Sequence, residues 1–206
     1  MSFSGRGEVS GRSSDRLGHV DELGCAPGPV CRGPLSEQDG RYADRMLLGL
    51  AHAAVCVPDV EAATRWYSEV LGLQVLSPPY RMAGEAIEQD MSELIPSPVV
   101  LKAAIVGFGA DDHVLELIEY PEAGIEPRQS GGASVTRPGL THVGLVCDDL
   151  DRTRTEFEAR GVEFLVSGVA NVAGLRTTWF TDPWGTVFIL LEKQREALPY
   201  WRQYEL

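Results

Sequence analysis

The sequence predicts an α+β fold built from two tandem βαβββ modules. The main observation is a stretch that occurs twice: residues 49–67 read GLAHAAVCVPDVEAATRWY, and residues 139–157 read GLTHVGLVCDDLDRTRTEF. A repeat of this length that occurs only twice indicates a duplicated module rather than a solenoid. The second observation is that each copy is followed by β-prone runs separated by turn residues, which predicts further strands after each helix.

The first copy predicts a strand followed by a capped helix. Alternation separates one face of the strand from the other, with Ala53, Val55 and Val57 on one side and His52, Ala54 and Cys56 on the other. Pro58 ends the strand, and Asp59 is the predicted N-cap. Gly72 is the predicted stop of the helix. His52 therefore lies at the start of the strand, on the face away from its own helix.

The second copy repeats this plan around His142. This histidine shares a strand face with Gly144 and Val146, while Val143, Leu145 and Cys147 take the opposite face. Asp149 is the predicted N-cap and Gly161 the stop of the following helix. The two modules are therefore each expected to contribute one histidine from an equivalent position.

The rest of the first module, residues 47–121, predicts three more strands. A strand over 73–77 precedes a proline-rich turn and a polar stretch. Two strongly β-prone runs then cover 97–108 and 113–120, with a Gly-Asp-rich turn between them. His113 in this turn is expected to be a solvated turn residue.

The second module, residues 139–193, predicts the same order of elements. Strands are expected over 162–166, 174–181 and 186–192. The turn before the last of them reads DPWG, which is typical of a tight connection between antiparallel strands.

Three segments flank the modules. Residues 1–46 are rich in Gly, Ser, Arg and Asp and predict a disordered tail. Residues 122–138 read as a linker long enough to let the modules pack side by side. Residues 194–206 carry several aromatic residues and predict a short docked C-terminal segment.

Composition excludes several classes of function. The net charge of −12 argues against a protein that binds nucleic-acid phosphates, because the chain has no basic stripe. No apolar run is long enough to span a bilayer, and the N-terminus lacks the apolar segment of a secretory signal. The cysteines show no zinc-finger spacing and are expected to be reduced thiols, at positions Cys25, Cys31, Cys56 and Cys147. A cytoplasmic protein without membrane or nucleic-acid partners is expected.

Three motifs within residues 47–193 carry a family resemblance. They are the strand-start histidine with a capped helix that ends in WYSEVLGL, the LELIEY run at 115–120, and the DPWG turn at 182–185. In this order the chain resembles the vicinal oxygen chelate superfamily. That group contains glyoxalase I, methylmalonyl-CoA epimerase, extradiol dioxygenases, fosfomycin-resistance enzymes and bleomycin-resistance proteins. The resemblance implies two cup-shaped half-sheets, one from each module, that face a shared site.

The resemblance also implies a metal site. In metal-bearing members the ligands come from the first and last strands of each module, which here points to His52, Glu116 and His142. The fourth family position falls on Ile189, so one carboxylate ligand is missing. Strand parity turns Glu192, three residues further on, to the opposite face. Two histidines and one carboxylate with open positions suit a divalent Fe, Mn, Co, Ni or Zn ion.

The implied chemistry is proton abstraction next to a carbonyl. A metal-stabilised enolate would make the chain an epimerase, isomerase or lyase that acts on an acyl-CoA or a ketose- or cyclitol-like substrate. Glu116 is the main candidate for the general base. Tyr80, Glu85 and Glu88, in the polar segment after the second strand, are further candidates. The family resemblance also implies a homodimer.

Two other functions stay open. One is a metal-free binding protein of the bleomycin-resistance kind, which would hold an aromatic or cationic ligand. In such a pocket Glu116 would pair with a histidine or an arginine. The tryptophans that could contact the ligand are Trp66, Trp179 and Trp184. The other is an extradiol-type dioxygenase, which would need its carboxylate at the position of Ile189.

Overall fold

The computed structural model describes residues 47, 49–109, 113–123, 135–136, 138–172, 174–195 and 197–202. The tail expected over 1–46 and most of the linker expected over 122–138 lie outside the described residues. The first module consists of β1 (His52–Cys56), α1 (Val60–Glu69), β2 (Gln74–Ala83), α2 (Glu85–Met91), β3 (Val100–Gly107) and β4 (Val114–Glu119).

The described residues of the second module follow the same order, except that the second strand is broken in two and α2 has no counterpart. The module consists of β5 (Val143–Cys147), α3 (Leu150–Ala159), β6 (Glu163–Phe164), β7 (Ala170–Val172), β8 (Leu175–Thr181) and β9 (Val187–Glu192). A short 3-10 helix, Tyr200–Arg202, follows near the C-terminus. The α+β architecture of paired βαβββ modules is confirmed.

Each module forms its own sheet. Within each sheet, the first strand of the module pairs in parallel with the last strand of the same module. The strand order is β1-β4-β3-β2 in one sheet and β5-β9-β8-β6 in the other, where β7 also pairs with β8. The remaining neighbours are antiparallel. The helix after the first strand carries the chain across the sheet, as a parallel pair requires.

Helix starts agree with the sequence analysis. The Asp59 side chain accepts a hydrogen bond from the Ala62 backbone N–H at 2.8 Å, and Asp149 accepts one from Arg152 at 2.9 Å. Such bonds satisfy N–H groups that have no partner within the helix. After the helices, Gly72 and Gly161 take positive φ angles of 77° and 85°, which only glycine adopts freely.

The second strand of the first module differs from the prediction. The expected strand over 73–77 continues as β2 through Pro78 and Pro79 to Ala83. Because β2 is an edge strand that pairs only with β3, its prolines remove no ladder bond on a second side. The register shifts between Ser77 and Tyr80, so the prolines fall in a bulge. Helix α2 was not predicted, and it buries none of its residues completely.

The corresponding strand of the second module is, by contrast, shorter than predicted. The strand expected over 162–166 is reduced to β6, and the chain then bends into β7. Arg154 on α3 holds this bend, because its guanidinium donates to the carbonyls of Val166 and Gly168 at 3.1 Å each. Arg154 also lies over the Phe164 ring, with 4.2 Å from Cζ to the centroid. Side-chain hydrogen bonds therefore replace strand pairing here.

One hydrophobic core is shared by both modules. Tyr67 on α1 is fully buried, and its hydroxyl donates to the Asp182 carboxylate in the DPWG turn at 2.7 Å. The Tyr67 ring also stacks on Trp184, with centroids 6.4 Å apart, and meets Phe188 edge-on at 6.2 Å. The first helix is thus packed against the last hairpin of the other module.

Within the described part of the chain, no helix has the length and apolar content needed to cross a membrane.

Candidate functional site

His52 and Glu116 meet on the face of the first sheet that is opposite the shared core. The parallel register pairs Ala54 with Glu116, so the carboxylate on β4 reaches the imidazole two residues away on β1. His52 Nε2 lies 3.1 Å from Glu116 Oε2, and the two side chains are 47% and 18% exposed. The pair is therefore open to a ligand from solvent.

Two further polar groups lie near this pair. Cys56 is on the same face of β1, and burial raises the pKa of its thiol. Tyr120 directly follows β4. Burial raises the pKa of Tyr120, and the charges of Cys56 and Glu116 raise it further. A neutral thiol and a neutral phenol therefore border the imidazole–carboxylate pair at neutral pH.

His142 directly precedes β5 on the second sheet. Its Nδ1 lies 2.9 Å from the Thr141 hydroxyl oxygen, and its ring meets Trp179 edge-on with centroids 4.8 Å apart. These contacts hold the ring on the face that also carries Gly144 and Ile189. Nε2 remains the nitrogen that can bind a ligand.

The structure places Ile189 where Glu116 stands in the other module. Gly144 pairs with Ile189 in the second sheet as Ala54 pairs with Glu116 in the first. Glu192 points the other way, as strand parity predicts. It accepts hydrogen bonds from the Leu150 backbone N–H at 3.0 Å and from Arg176 at 2.7 Å. Glu192 therefore starts helix α3 and does not replace the missing ligand.

The described residues contain a group of three carboxylates whose oxygens lie within 4.8 Å of one another, and it consists of Asp59, Glu61 and Glu119. Lys102 already supplies a cation there, since its Nζ lies 3.3 Å from Glu61 and 3.4 Å from Glu119. Glu119 also accepts the Val60 backbone N–H at 2.9 Å. This group has a structural role at the start of α1.

The predicted ligands are brought together only in part. His52 and Glu116 form a pair, whereas His142 is held by Thr141 and Trp179. The three together do not form a group within 4.8 Å in the described chain. Two ligands of one ion, each about 2.1 Å from it and 90–110° apart, are separated by about 3.0–3.4 Å. The donor types and the 3.1 Å spacing of the pair thus fit a divalent metal, and the full triad stays a prediction.

Other candidates for the general base have different surroundings. Glu88 accepts hydrogen bonds from the Ser97 hydroxyl and the Val99 backbone N–H, at 2.7 Å each. These bonds lower the pKa of Glu88 and give the side chain a structural role. Glu85 is the first residue of α2 and is exposed, and Tyr80 lies on edge strand β2 opposite Ala103.

The helix-starting role of Glu119 and Glu192 was not predicted from the sequence. The signal was present, since the repeat aligns these two glutamates with each other just as it aligns Glu116 with Ile189. The contact of Trp66 with Trp184, whose ring centroids lie 6.1 Å apart, was also not foreseen, because it joins residues that are distant in sequence.

Comparison with known proteins gives consistent results. The chain is 26% identical over 141 residues to the uncharacterized protein YwkD of Bacillus subtilis (strain 168). The aligned stretch covers 67% of this chain and 91% of that protein. It is similar to a glyoxalase family protein from Bacillus cereus at 17% identity, with a TM-score of 0.62 over 73% of this chain and 97% of that one. This second likeness shows the fold alone.

A superfamily member from Sphaerobacter thermophilus is 24% identical, with a TM-score of 0.48 over 72% of this chain and 100% of that one. A family model, Glyoxalase/Bleomycin resistance protein/Dioxygenase superfamily, matches residues 49–190. This match covers both modules and the motifs that carry the resemblance. The chain therefore belongs to the glyoxalase/bleomycin resistance protein/dioxygenase superfamily.

Proposed function

We propose that this protein is a metal-dependent vicinal oxygen chelate enzyme, an epimerase, isomerase or lyase that removes a proton next to a carbonyl. The observation that carries the proposal is the pair of His52 Nε2 and Glu116 Oε2, 3.1 Å apart on an exposed sheet face. An imidazole nitrogen and a carboxylate oxygen that converge in this way are ordinary ligands for a divalent Fe, Mn, Co, Ni or Zn ion. His142 is the proposed third ligand.

The side chains around the pair suit this chemistry. A bound divalent ion would polarise a substrate carbonyl and the oxygen next to it, and so acidify the carbon adjacent to that carbonyl. Glu116 Oε2 faces His52, which leaves Oε1 to accept a proton from that carbon. Delivery of a solvent proton to the opposite face of the enolate would give the epimer. The neutral Tyr120 phenol can donate a hydrogen bond to the substrate oxygen as negative charge develops there.

We also propose that the chain works as a homodimer in which His142 comes from the second copy. His52 is 47% exposed, and Val146 on the His142 face is 49% exposed, so both faces are open to a partner. A twofold axis would bring the first module of each chain against the second module of the other. Each of the two resulting sites would contain His52 and Glu116 from one copy and His142 from its partner.

Metal content tests the proposal directly. Native protein prepared without chelators or affinity-tag metal is expected to contain close to one divalent ion per chain by mass spectrometry. His52→Ala, Glu116→Ala and His142→Ala are expected to lose it. His113→Asn is the matched control, because His113 is an exposed histidine with φ of 76°, a conformation that asparagine tolerates. If native protein neither contains nor takes up any of these metals, the proposal is wrong.

Activity is tested by exchange of substrate protons with deuterated water, followed by NMR. The substrates are a panel of acyl thioesters and 2-ketoses, and exchange is expected to require both metal and Glu116. Loss of metal without loss of exchange would contradict the mechanism.

A mixed dimer tests where His142 comes from. Co-expressed His52→Ala and His142→Ala chains form a heterodimer in which one site has lost both histidines and the other retains both. About half of the native metal content is expected to return in this heterodimer. If both sites form within single chains, every site lacks one histidine and no metal returns.

A metal-free binding protein is the second candidate. The distance between His52 Nε2 and Glu116 Oε2 supports this function as well. At 3.1 Å, His52 and Glu116 also satisfy each other by an ordinary hydrogen bond. An extradiol-type dioxygenase has less support, because Ile189 occupies its carboxylate position. Oxygen consumption with catechols tests that alternative.

A further inference from the structure

A second concave site lies where the two modules meet. An open pocket of about 590 Å³ is lined by Trp66 of α1, by residues between Gly161 and Leu165, and by the DPWG turn. His52, Glu116 and His142 are not among its lining residues. Its volume is in the range of pockets that bind small organic molecules, about 300–1,000 Å³.

Two indole rings form adjoining walls of this pocket. Trp66 and Trp184 have centroids 6.1 Å apart and planes at 77°. Trp184 is held from behind, because it stacks on the buried Tyr67 ring at 6.4 Å with an interplanar angle of 9°. The Tyr67 hydroxyl is in turn bonded to Asp182 at 2.7 Å. The walls are therefore positioned by the shared core before any ligand arrives.

The charged residues that line the pocket are acidic. Glu163 is exposed at its edge, whereas Asp182 is 2% exposed and its carboxylate already accepts three hydrogen bonds. The described lining residues include no lysine, arginine or histidine. Arg160, which directly precedes Gly161 in the sequence, is directed elsewhere: its guanidinium donates to the Val70 carbonyl at 2.8 Å and to Glu156 at 3.4 Å. Negative charge in the pocket is not balanced by a lining cation.

This combination selects among ligand classes. An anion would meet the exposed Glu163 carboxylate and no lining cation, so phosphates and carboxylates are disfavoured. A neutral aromatic molecule would use the rings but not the charge. A cation uses both, because the face of an indole ring carries negative electrostatic potential and attracts a cation placed over it.

We propose that this pocket, which we call the Trp66–Trp184 pocket, binds an organic cation with a methylated or alkylated ammonium group on an apolar body. The ammonium group would lie against the indole walls with Glu163 at the rim, and the apolar body would contact Leu165 and Val162. The site is separate from the proposed metal site and does not depend on it.

Calorimetric titration with choline and benzyltrimethylammonium tests the proposal. The neutral twin of choline is 3,3-dimethylbutan-1-ol, which has the same shape without the charge. Choline is expected to bind at least about tenfold more tightly than this alcohol, which is a typical gain for a cation held against desolvated indole faces. Benzyltrimethylammonium is expected to bind more tightly still, because its ring buries additional apolar surface.

Variants assign the binding to this pocket. Trp66→Leu is expected to weaken choline binding about tenfold, because it keeps apolar bulk but removes a ring face. Glu163→Gln changes only an exposed side chain and is expected to weaken choline binding about threefold without altering the fold. Phe108→Leu and Glu156→Gln are the matched controls, since both residues are exposed and lie outside the pocket.

The outcomes separate this proposal from the metal site. Choline binding that persists in Glu116→Ala supports two independent sites. Equal affinity for the alcohol and for choline would overturn the proposal and leave a merely apolar pocket. It would also be overturned if choline failed to bind, or if binding stayed unchanged in both Trp66→Leu and Glu163→Gln.

Discussion

The two modules agree closely where a glutamate starts the helix. Glu119, at the end of β4, accepts the backbone N–H of Val60, the first residue of α1, at 2.9 Å. Glu192, at the end of β9, accepts that of Leu150, the first residue of α3, at 3.0 Å. Each carboxylate thus joins the last strand of a module to its helix and satisfies an N–H group that has no partner within the helix.

A cation completes the arrangement in both modules. Lys102 on β3 bridges Glu119 and Glu61 in the first module. Arg176 on β8 bridges Glu192 and Asp151 in the second, with N–O distances of 2.7 and 2.8 Å. The residue types differ, but the charges and positions are the same.

The modules differ on the opposite face of the same strands. Glu116 and Ile189 occupy equivalent register positions, yet only Glu116 bears a carboxylate. The comparison separates two roles. A carboxylate present in both copies helps to build the module, whereas the one present in a single copy lies on an exposed face and is available for chemistry.

The modules also differ after their helices. The first continues as a strand of ten residues, β2, whereas the second has only the two-residue β6 before it bends. Arg154 holds this bend through the carbonyls of Val166 and Gly168. The equivalent residue in α1 is Thr64, which bonds only to the Val60 carbonyl of its own helix. The bend of the second module is therefore held by arginine contacts that Thr64 does not make in the first.

The largest effect, on metal affinity, is expected when Glu116 is replaced by the residue at the equivalent position of the second module. Glu116→Ile gives the first module the residue of the second and removes the proposed carboxylate ligand. Metal affinity is expected to fall at least about 100-fold, since even second-shell changes cost about 10–100-fold. Competition with a metal chelator measures the change. Unaltered affinity would show that Glu116 is not a ligand.

The reverse change sharpens the same comparison. Ile189→Glu adds a carboxylate at the equivalent position of the second module. In the native background it is expected to raise metal affinity about tenfold by supplying a fourth ligand. Chelator competition again gives the affinity, and Leu94→Glu is the control, because it adds the same charge at an exposed position outside both sheets.

The next effect concerns the hydrogen bond between Tyr67 of α1 and Asp182. Tyr67→Phe gives α1 the residue type found at the equivalent position in α3, Phe157. The Asp182 carboxylate, 2% exposed, then loses its bond from the tyrosine hydroxyl. The free energy of unfolding is expected to fall by about 2 kcal/mol, the typical cost of a buried acceptor that loses its donor. Urea denaturation measures it.

Tyr80→Phe is the control for this change, because Tyr80 is 41% exposed. Its effect is expected to stay within about 0.5 kcal/mol. Equal losses in the two variants would indicate that the Tyr67 hydroxyl contributes little to the contact between the modules.

Removal of the helix-starting glutamates is expected to cost somewhat less. Glu119→Ala and Glu192→Ala each remove a bond to a helix N-terminal N–H, worth about 1 kcal/mol. Glu192→Ala is expected to have the larger effect, because its 2.7 Å contact with Arg176 is closer than the 3.4 Å contact of Glu119 with Lys102. Thermal and urea unfolding compare the two. The opposite order would show that the cation contact does not decide the cost.

The last expected effect is a dependence on alkaline pH. Burial raises the pKa of the Cys147 thiol from 9.0 to about 11. The folded state therefore retains a proton that the unfolded state releases, so the free energy of unfolding is expected to fall as pH rises from about 9 to about 11. Burial and Asp182 raise the pKa of Tyr67 as well, which acts in the same direction. Urea denaturation across this range is the measurement.

Cys147→Ala is expected to make this dependence less steep, because the alanine has no proton to release. Cys56→Ala provides the comparison in the first module, where the thiol is exposed and its pKa is raised by partial burial. A pH dependence that is the same in Cys147→Ala and native protein would contradict the assignment.

Local chemistry allowed much of the fold to be predicted. Asp59 and Asp149 start helices because a short acidic side chain can bond to an N–H within three residues, and this depends on nearby sequence alone. Strand alternation likewise predicted which face carries Glu116 and which carries Glu192, since the period of a strand is two. The prediction failed at β2 and β6, where an edge position tolerates prolines and a distant arginine holds a bend.

The candidate site was predictable only in part for the same reason. The repeat identified His52 and His142 as equivalent, and the family resemblance added Glu116. The distance between His52 and Glu116 follows from strand register within one module. The position of His142 relative to them depends on how modules pack, which no local pattern encodes.

The sequence alone therefore determined the duplicated modules, their capped helices and the face of each strand, because these depend on periodicity and on contacts between near neighbours. The tertiary structure decided that Tyr67 bonds to Asp182, that Glu119 and Glu192 start helices, and that Trp66 and Trp184 line a pocket. These contacts join residues far apart in the chain. They arise only when hydrophobic burial brings two modules onto one core, and that arrangement is a property of the whole packed chain.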